Sequence, residues 1–198
     1  FIEKGLEKYK SKLYLLASLN DSIGNPRRYS YDERLISPTS LRYMKVTLDI
    51  INFLNGEKIN NIVEIGGGYG GQALMLSLLF DQNGSFTIFD LPEVNKLINK
   101  FTKVSFIDSL VNTKNFVDEE INYDLFISNY ALSELSRKNT DVYLKKVLSK
   151  SKHGYITFNN IGDNDSVSKE EIYKFIPKEF VVVEENPIMS QGGVIIKW

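Results

Sequence analysis

Hydrophobic side chains in the N-terminal quarter of the chain recur at three- and four-residue spacings. They predict an amphipathic helix over residues 1–20, with an apolar face made of Ile2, Leu6, Tyr9, Leu13, Leu16 and Leu19. Residues 21–36 lack a period and are predicted to form a loop. Ser37 followed by Pro38 is typical of a helix start. The second apolar face is Leu41, Met44, Leu48, Ile51 and Leu54, and Gly56 fits a C-terminal cap.

From residue 60 the pattern changes to short apolar runs that alternate with helical segments. The predicted strands are 61–65, 85–89, 103–107, 124–129 and 155–158. The predicted helices are 71–81, a helix from Pro92 to about 101, 137–150, and a short one with the capping-box spacing of Ser168 and Glu171. Repeated strand-then-helix units favour a parallel sheet with helices on both faces.

The chain closes with two strand-like runs, at 180–184 and 194–197. Roughly ten residues separate them, which is too few for a helical crossover, so they are predicted to pair as an antiparallel hairpin. The predicted division is a helical extension over 1–58 and one α/β domain over 59–198. The first helix is interpreted as a lid or a dimer surface, which makes a homodimer an expectation.

Composition narrows the classes of function. The 198 residues carry a net charge of −1, which argues against a nucleic-acid or anionic-membrane partner. There is no cysteine, so disulfides, thiolate zinc sites and cysteine nucleophiles are excluded, and a reducing, cytoplasmic location is expected. No apolar run approaches the length of a membrane span. The chain starts at Phe1 instead of Met, so we expect that sequence is missing at one end or both.

The strongest local signal is the glycine-rich turn at 66–71, between an apolar strand and a helix. Such a turn lets a ligand approach the backbone closely and points helix N–H groups at it. Gly66, Gly68 and Gly71 satisfy the dinucleotide-binding G-x-G-x-x-G. Glu64 with Gly66, Gly68 and Gly70 satisfies the E-x-G-x-G-x-G of S-adenosylmethionine-dependent methyltransferases. Close packing alone is the remaining alternative.

Polar residues stand where the predicted parallel strands end, which is where ligands bind in such sheets. They are Glu64, Asp90, Asp108 and Asn129. Asp90 has the spacing of a carboxylate that accepts bonds from ribose hydroxyls, Asp108 could accept from an adenine amino group, and Asn129 could meet a methionine amino group. As alternatives, Asp90 caps the next helix and Asp108 is a plain loop residue. Glu64 needs a partner, because a buried unpaired carboxylate is costly.

Three segments together resemble the sugar O-methyltransferases of bacterial glycan clusters: 63–71, 88–94 (Ile-Phe-Asp-Leu-Pro-Glu-Val) and 128–135 (Ser-Asn-Tyr-Ala-Leu-Ser-Glu-Leu). Residues 36–43 resemble an N-terminal motif of that family. The Asp-Leu-Pro step is similar to plant phenolic O-methyltransferases. The resemblance covers roughly residues 35–198. It implies a Rossmann-like class I methyltransferase fold, with a mostly parallel seven-stranded sheet and the closing hairpin.

The resemblance further implies S-adenosylmethionine as cofactor and methylation of a hydroxyl on a sugar or other small molecule. The residues predicted to bind the cofactor are Arg42, Glu64, Gly66, Gly67, Gly68, Gly70, Asp90, Leu91, Asp108, Ser109, Asn129 and Tyr130. Arg42 could close over the cofactor or bind its carboxylate, or it could simply belong to a solvated helix face. Tyr130 and Asn160 could also orient the acceptor.

The catalytic base departs from the plant enzymes, which carry a histidine shortly after strand four. This chain has Glu134 there, and Glu134 is the leading candidate for the base, with a dipole-favoured carboxylate near a helix start as the alternative. Asp163 and Asp165 are the next candidates; their spacing could suit a hard cation, although no metal site is predicted. His153, the only histidine, is predicted to be a surface loop residue at the wrong strand end.

Two other classes of function stay open. A NAD(P)-dependent oxidoreductase would use the same glycines and Asp90, but it expects a Tyr-x-x-x-Lys, and Tyr143 is not followed by a lysine at that spacing. A non-catalytic methyltransferase-like binding module would keep the fold without the reaction, as the missing histidine allows.

Overall fold

Seven of the nine strands in the described part of the chain form one sheet. The computed structural model describes residues 7–80, 84–118, 120–159, 161, 165–189 and 192–198. The strands are β1 Tyr29–Tyr31, β2 Arg34–Ile36, β3 Asn61–Ile65, β4 Ser85–Phe89, β5 Val111–Lys114, β6 Tyr123–Asn129, β7 Ser151–Phe158, β8 Val181–Glu184 and β9 Val194–Lys197. The helices are α1 Lys10–Asp21, α2 Pro38–Leu54, α3 Gly71–Leu79, α4 Pro92–Val104, α5 Ala131–Glu134, α6 Arg137–Lys146 and α7 Lys169–Tyr173.

The strand order of the large sheet is β5-β4-β3-β6-β7-β9-β8. The first five strands run parallel, and β9 pairs antiparallel with both β7 and β8. The predicted parallel sheet and closing hairpin are therefore confirmed. The order reverses between β3 and β6, which is the point where open parallel sheets bind ligands. The carboxyl ends of β3 to β7 all lie at that one edge.

The strand predicted over 103–107 is wrong. Helix α4 continues to Val104, because Ile98 and Phe101 keep its apolar face in the core. Phe106 has a left-handed backbone (φ 59°) and an 85% exposed side chain, so the apolar alternation that indicated a strand belongs to a helix end. In chain order, the third strand of the large sheet is instead β5. Its register with β4 pairs Phe86 with Val111.

This shift moves Asp108 and Ser109 away from the position predicted for them. Both residues are exposed in the turn that precedes β5, at the amino end of the strand. The ligand-binding edge is at the carboxyl ends, on the other side of the sheet. The reason for assigning these two residues to the cofactor is therefore lost, and the residues that follow β5 at the correct edge are 115–117.

The N-terminal helices α1 and α2 pack on α3 through a shared apolar cluster. Its buried members are Leu13, Tyr14, Leu16, Ala17, Ile36, Tyr43, Met44, Leu48, Met75 and Leu79. The predicted helix start is confirmed, since the Ser40 N–H donates to Ser37 Oγ at 3.1 Å. The predicted loop over 21–36 holds the β1–β2 hairpin instead. The division at residue 58 and the lid or dimer role of the extension stay predictions.

His153 is buried, and the prediction of a surface loop residue is wrong. It lies inside β7 with 6% of its surface exposed, and its Nε2 is 2.9 Å from Glu57 Oε2. Strand β7 starts four residues earlier than predicted, at Ser151, where it pairs with Tyr123 of β6. His153 still lies near the amino end of its strand, which is the edge opposite the ligand-binding side.

Candidate functional site

A cavity of about 770 Å³ opens at the carboxyl ends of β3, β4 and β6. Its walls come from the glycine turn, the segments after β4, β5 and β6, and the start of α2. Its lining residues include Arg42, Gly66, Gly68, Asp90, Leu91, Asn115, Phe116, Val117, Asn129, Tyr130 and Glu134. The cavity therefore brings together most of the cofactor residues predicted from the sequence.

The glycines of the turn differ in what they do. Gly66 and Gly68 line the cavity, whereas Gly67 and Gly70 do not and pack toward the helix layer. Gly66 has φ +78°, and an added Cβ would lie 2.2 Å from Ala131 Cβ. Gly68 has φ +58°, and an added Cβ would meet no atom within 4 Å. Gly66 is thus needed for packing, while Gly68 leaves room for a ligand.

Glu64 is a buried carboxylate without a full set of partners. It is 2% exposed near the end of β3, and its Oε2 has no hydrogen-bond partner. The pKa of Glu64 is raised to about 8, mainly by burial and also by the charge of Asp90, while a hydrogen bond from Asn129 and the charge of Arg42 oppose the rise. A cation placed beside Glu64 would restore the charged form, so the residue fits a cationic ligand group.

Asp90 lies at the end of β4, facing the glycine turn. Its Oδ1 accepts a hydrogen bond from the Leu91 N–H at 2.8 Å, and the amides of Gly68 and Gly67 also donate to this carboxylate. Burial raises the pKa of Asp90, and these amide bonds oppose it. The N-cap position of α4 belongs to Leu91, which makes no side-chain cap bond. Asp90 is half-buried on the cavity wall, with room for further donors.

Three further residues that line the larger cavity are Asn129, Tyr130 and Arg42. Asn129 ends β6, bonds to Glu64, and accepts from Thr157 Oγ1 at 3.1 Å. Tyr130 follows in a left-handed conformation (φ 68°), which is strained for a bulky residue and is typical of functional positions. The guanidinium carbon of Arg42 lies 5.8 Å from the centre of the Tyr130 ring, and its buried Nε has no hydrogen-bond partner. Arg42 therefore faces the site and is not part of a solvated face.

Residues 115–117, which follow β5, were missed by the sequence analysis. Asn115, Phe116 and Val117 line the cavity where Asp108 and Ser109 were expected. Asn115 Oδ1 accepts from Asn95 Nδ2 at 2.8 Å, and Phe116 is 64% exposed. The rule that polar groups follow strand ends would have found them had the strand been placed correctly.

Of the three carboxylates predicted as candidates for the base, Glu134 and Asp165 lie among the described residues. Glu134, at the end of α5, lines the cavity wall and is exposed. Asp163 lies outside the described residues, as does Asn160. Asp165 is described, and its carbonyl accepts from the Arg137 N–H at 2.7 Å. Across the described ranges, no group of three or more histidine, cysteine, aspartate or glutamate side chains could hold a metal ion.

A second, smaller cavity of about 280 Å³ adjoins the first. The two share Arg42, Asn129 and Tyr130 as lining residues. The other walls of the smaller cavity are mostly apolar or aromatic: Tyr31, Pro38, Leu41, Val46, Tyr155, Pro187, Met189 and Ile195. The remaining lining residues are Lys45, Thr157 and Glu185.

Glu185 was missed by the sequence analysis. It follows β8 and is 5% exposed. The Tyr130 hydroxyl donates to its Oε1, and the Met189 N–H donates to its Oε2 at 3.3 Å. Since β8 runs antiparallel to β9 and β9 antiparallel to β7, β8 is parallel to β7, and Glu185 lies at the ligand-binding edge. The strand-end rule would have found it only if the direction of β8 relative to β7 had been known.

Comparison with solved structures assigns the fold. The N-terminal domain of EvdMO1, solved with S-adenosylhomocysteine bound, matches with a TM-score of 0.58 at 11% identity, over 94% of this chain and 94% of that chain. An S-adenosylmethionine-dependent O-methyltransferase of Thermotoga maritima matches with a TM-score of 0.57 at 16% identity, over 90% of this chain and 69% of that one. The fold is that of the class I, Rossmann-like methyltransferases.

Some solved structures with this fold are of longer proteins, so the match covers only part of them. The mitomycin 7-O-methyltransferase MmcR matches with a TM-score of 0.57 at 12% identity, over 80% of this chain. This chain spans about half of that enzyme, 53% of its length. No protein-family model matches the chain. No curated protein matches it either.

Proposed function

We propose that this protein is an S-adenosylmethionine-dependent O-methyltransferase that acts on a hydroxyl group of a small molecule. The single observation that carries the proposal is the pair of Glu64, with its unpartnered buried oxygen, and Gly68, with open space above it, at the switch point of the sheet. The solved neighbours with this fold include O-methyltransferases, and one neighbour, the N-terminal domain of EvdMO1, was solved with S-adenosylhomocysteine bound.

The residues present fit this cofactor. Glu64 would hold the methionine amino group, Asp90 the ribose hydroxyls, and 115–117 the adenine. Arg42, whose Nε lacks a partner, would bind the methionine carboxylate. A pyrophosphate fits less well, because it brings no positive charge to the unpartnered oxygen of Glu64 and its negative charges would lie close to Asp90. When bound, the cofactor supplies an activated methyl group on a sulfonium.

The chain's own residues position the acceptor and manage its proton. Methyl transfer to oxygen depends mainly on alignment, so the walls shared by the two cavities matter most. Asn129 and Tyr130 are shared walls and can orient an acceptor hydroxyl. Glu134 is the candidate for the base that the sequence suggests, and the buried Glu185 is a second candidate that the structure adds. A sugar hydroxyl is the acceptor that the sequence resemblance suggests, and the helical extension is proposed as a lid or dimer surface.

A methyl-transfer assay over a mixed acceptor panel tests the proposed function. The protein is incubated with labelled S-adenosylmethionine and sugars, nucleotide sugars or phenols, and methylated product is detected by mass spectrometry. We expect an O-methylated product from at least one acceptor class. Reduction of NAD(P)⁺ in parallel reactions, without any methylated product, would replace the proposal with an oxidoreductase. Cofactor binding without transfer to any acceptor would instead favour a non-catalytic module.

A further inference from the structure

The smaller cavity combines apolar walls with one buried carboxylate, Glu185, which has no part in the proposed binding of the cofactor in the larger cavity. Leu41, Val46, Met189 and Ile195 contribute apolar surface, and Glu185 lies among them with 5% of its surface exposed. A carboxylate in such surroundings is costly unless a partner offsets it. The partners present are neutral donors, the Tyr130 hydroxyl and the Met189 amide, so the carboxylate retains acceptor capacity for a further donor.

The structure holds this carboxylate firmly. Tyr130 is kept in its left-handed conformation by its N–H, which donates to the Thr157 carbonyl at 2.8 Å, and by its carbonyl, which accepts from Ser133 Oγ at 2.6 Å. The Glu185 N–H in turn donates to the Gly193 carbonyl at 3.0 Å. Strain of this kind persists only where the surroundings impose it. The Tyr130–Glu185 pair is therefore preorganised, with Tyr130 on the wall that both cavities share and Glu185 in the smaller cavity.

We propose that the Glu185 carboxylate takes the proton from the hydroxyl group of the substrate and that Tyr130 is the positioning residue. The substrate that receives the methyl group is then a phenol or a similar molecule with one hydroxyl on an apolar body. This inference rests on the proposed function. The hydroxyl proton moves to the Glu185 carboxylate as the oxygen bonds to the methyl carbon. The carbon–sulfur bond breaks, and its electron pair stays on sulfur. The products are a methyl ether, S-adenosylhomocysteine and a protonated Glu185.

The walls decide the acceptor class. A sugar presents several hydroxyls, and most of them would lose water without gaining a partner against walls such as Leu41 and Ile195. A phenol buries an apolar ring there and offers one hydroxyl to the carboxylate. It is also far more acidic than an alcohol, with a pKa near 10 for tyrosine-like phenols, so a carboxylate base can assist it.

Calorimetry in the presence of S-adenosylhomocysteine tests the contact without turnover. Anisole carries a methyl group in place of the hydroxyl proton of phenol and cannot donate a hydrogen bond, so the change in the phenol-to-anisole preference between wild type and a Glu185 variant reports the hydrogen bond to Glu185. We expect wild-type protein to bind phenol about 10-fold or more tightly than anisole. Glu185→Gln should reduce this preference to about 3-fold or less. The matched variant Glu184→Gln, at an exposed neighbouring position, should keep it.

Several results would overturn the inference. A phenol preference that survives in Glu185→Gln, or tight binding of a sugar with no binding of phenol, contradicts it. Tyr130→Phe is a second variant that keeps the ring, and we expect it to retain an intermediate preference for phenol over anisole, about 3-fold to 10-fold. Thermal melting of each variant shows whether it is folded. Failure of wild-type protein to bind S-adenosylhomocysteine would instead remove the proposed function itself.

Turnover separates Glu185 from Glu134. With para-substituted phenols we expect Glu185→Gln to lower kcat by about 100-fold or more while the affinity for S-adenosylhomocysteine is unchanged. The rate of this variant should also depend more steeply on the acidity of the phenol, which a purely structural role would not produce. A loss of kcat in Glu134→Gln, with Glu185→Gln active, would overturn the assignment in favour of Glu134.

Discussion

The two cavities share a wall but are built in different ways. The larger one is formed mainly by segments that directly follow β3, β4, β5 and β6. Its functional residues therefore belong to short motifs such as 64–70 and 90–92. The smaller one collects Tyr31, Leu41, Tyr155, Glu185 and Ile195 from five separate elements or connections. The binding of a common cofactor can thus depend on local sequence, while the acceptor site depends on the tertiary arrangement.

Electrostatics distinguishes the cavities as well. At the larger cavity burial raises the pKa of both Glu64 and Asp90, and the charge of Asp90 also raises the pKa of Glu64. These groups suit a ligand that brings positive charge. In the smaller cavity, Glu185 has neutral hydrogen-bond donors and apolar neighbours, which suit a neutral ligand with one proton to give. Variants at residues outside the shared wall that damage one cavity should therefore leave the other intact.

The largest expected effect is at Asp90. Asp90→Ala removes a carboxylate positioned for two ribose hydroxyls, and we expect the affinity for S-adenosylhomocysteine to fall by roughly 100-fold or more. Asp108→Ala is the matched control at the opposite edge of the sheet, with an expected change below about 2-fold. Titration calorimetry measures both. Similar losses in the two variants would show that the register of β5 is wrong.

The next effect separates packing from binding within the glycine turn. Gly66→Ala would place a methyl group 2.2 Å from Ala131 Cβ at φ +78°, so we expect the free energy of unfolding to fall by about 3 kcal/mol or more. Gly68→Ala meets no neighbour within 4 Å, so its cost is about 1 kcal/mol of backbone strain.

Ligand affinity completes this test. The methyl group of Gly68→Ala would extend into the larger cavity, and the affinity for S-adenosylhomocysteine should fall by about 10-fold. Urea denaturation and calorimetry give the two quantities separately. Full cofactor affinity in Gly68→Ala would mean that the open space at this glycine is not where the ligand lies.

A smaller, pH-dependent effect is expected from Glu64. Its pKa rises from 4.5 in the unfolded chain to about 8 in the folded one. Between these values the unfolded chain has lost a proton that the folded chain retains, so the free energy of unfolding falls as pH rises, by at most about 1.4 kcal/mol per pH unit. Glu64→Gln should flatten this slope. Urea denaturation between pH 5 and 8 provides the measurement; equal slopes in the two proteins would exclude this role of Glu64.

Local signals were sufficient for much of the fold and the larger cavity. Buried strand β3, the glycine turn and the N-cap at Ser37 each depend on neighbouring residues, and each was predicted correctly. Glu64, Asp90 and Asn129 then follow from where parallel strands end. The failure at 103–107 has a local cause too, because Val104 and Phe106 are exposed apolar residues at a helix end and imitate a strand's alternation.

The smaller cavity could not be predicted in the same way. The residues that line it depend on which face of α2 meets the carboxyl end of β7 and the amino end of β9, and on the short β1–β2 hairpin within a segment that has no period. Glu185 directly precedes Asn186 and Pro187, a context typical of a turn, so nothing local marks it as buried. Only the direction of β8 relative to β7 brings it to the site.

Within the described residues, no helix is long and apolar enough to cross a membrane.

Titration calorimetry of the wild-type protein with S-adenosylhomocysteine and, separately, with NADH tests the central claim most directly. The account predicts one S-adenosylhomocysteine bound per chain, with a dissociation constant in the micromolar range or below, roughly −8 kcal/mol or stronger. It predicts no heat of binding with NADH, because Glu64 and Asp90 disfavour a pyrophosphate. Binding of NADH together with no binding of S-adenosylhomocysteine would contradict it.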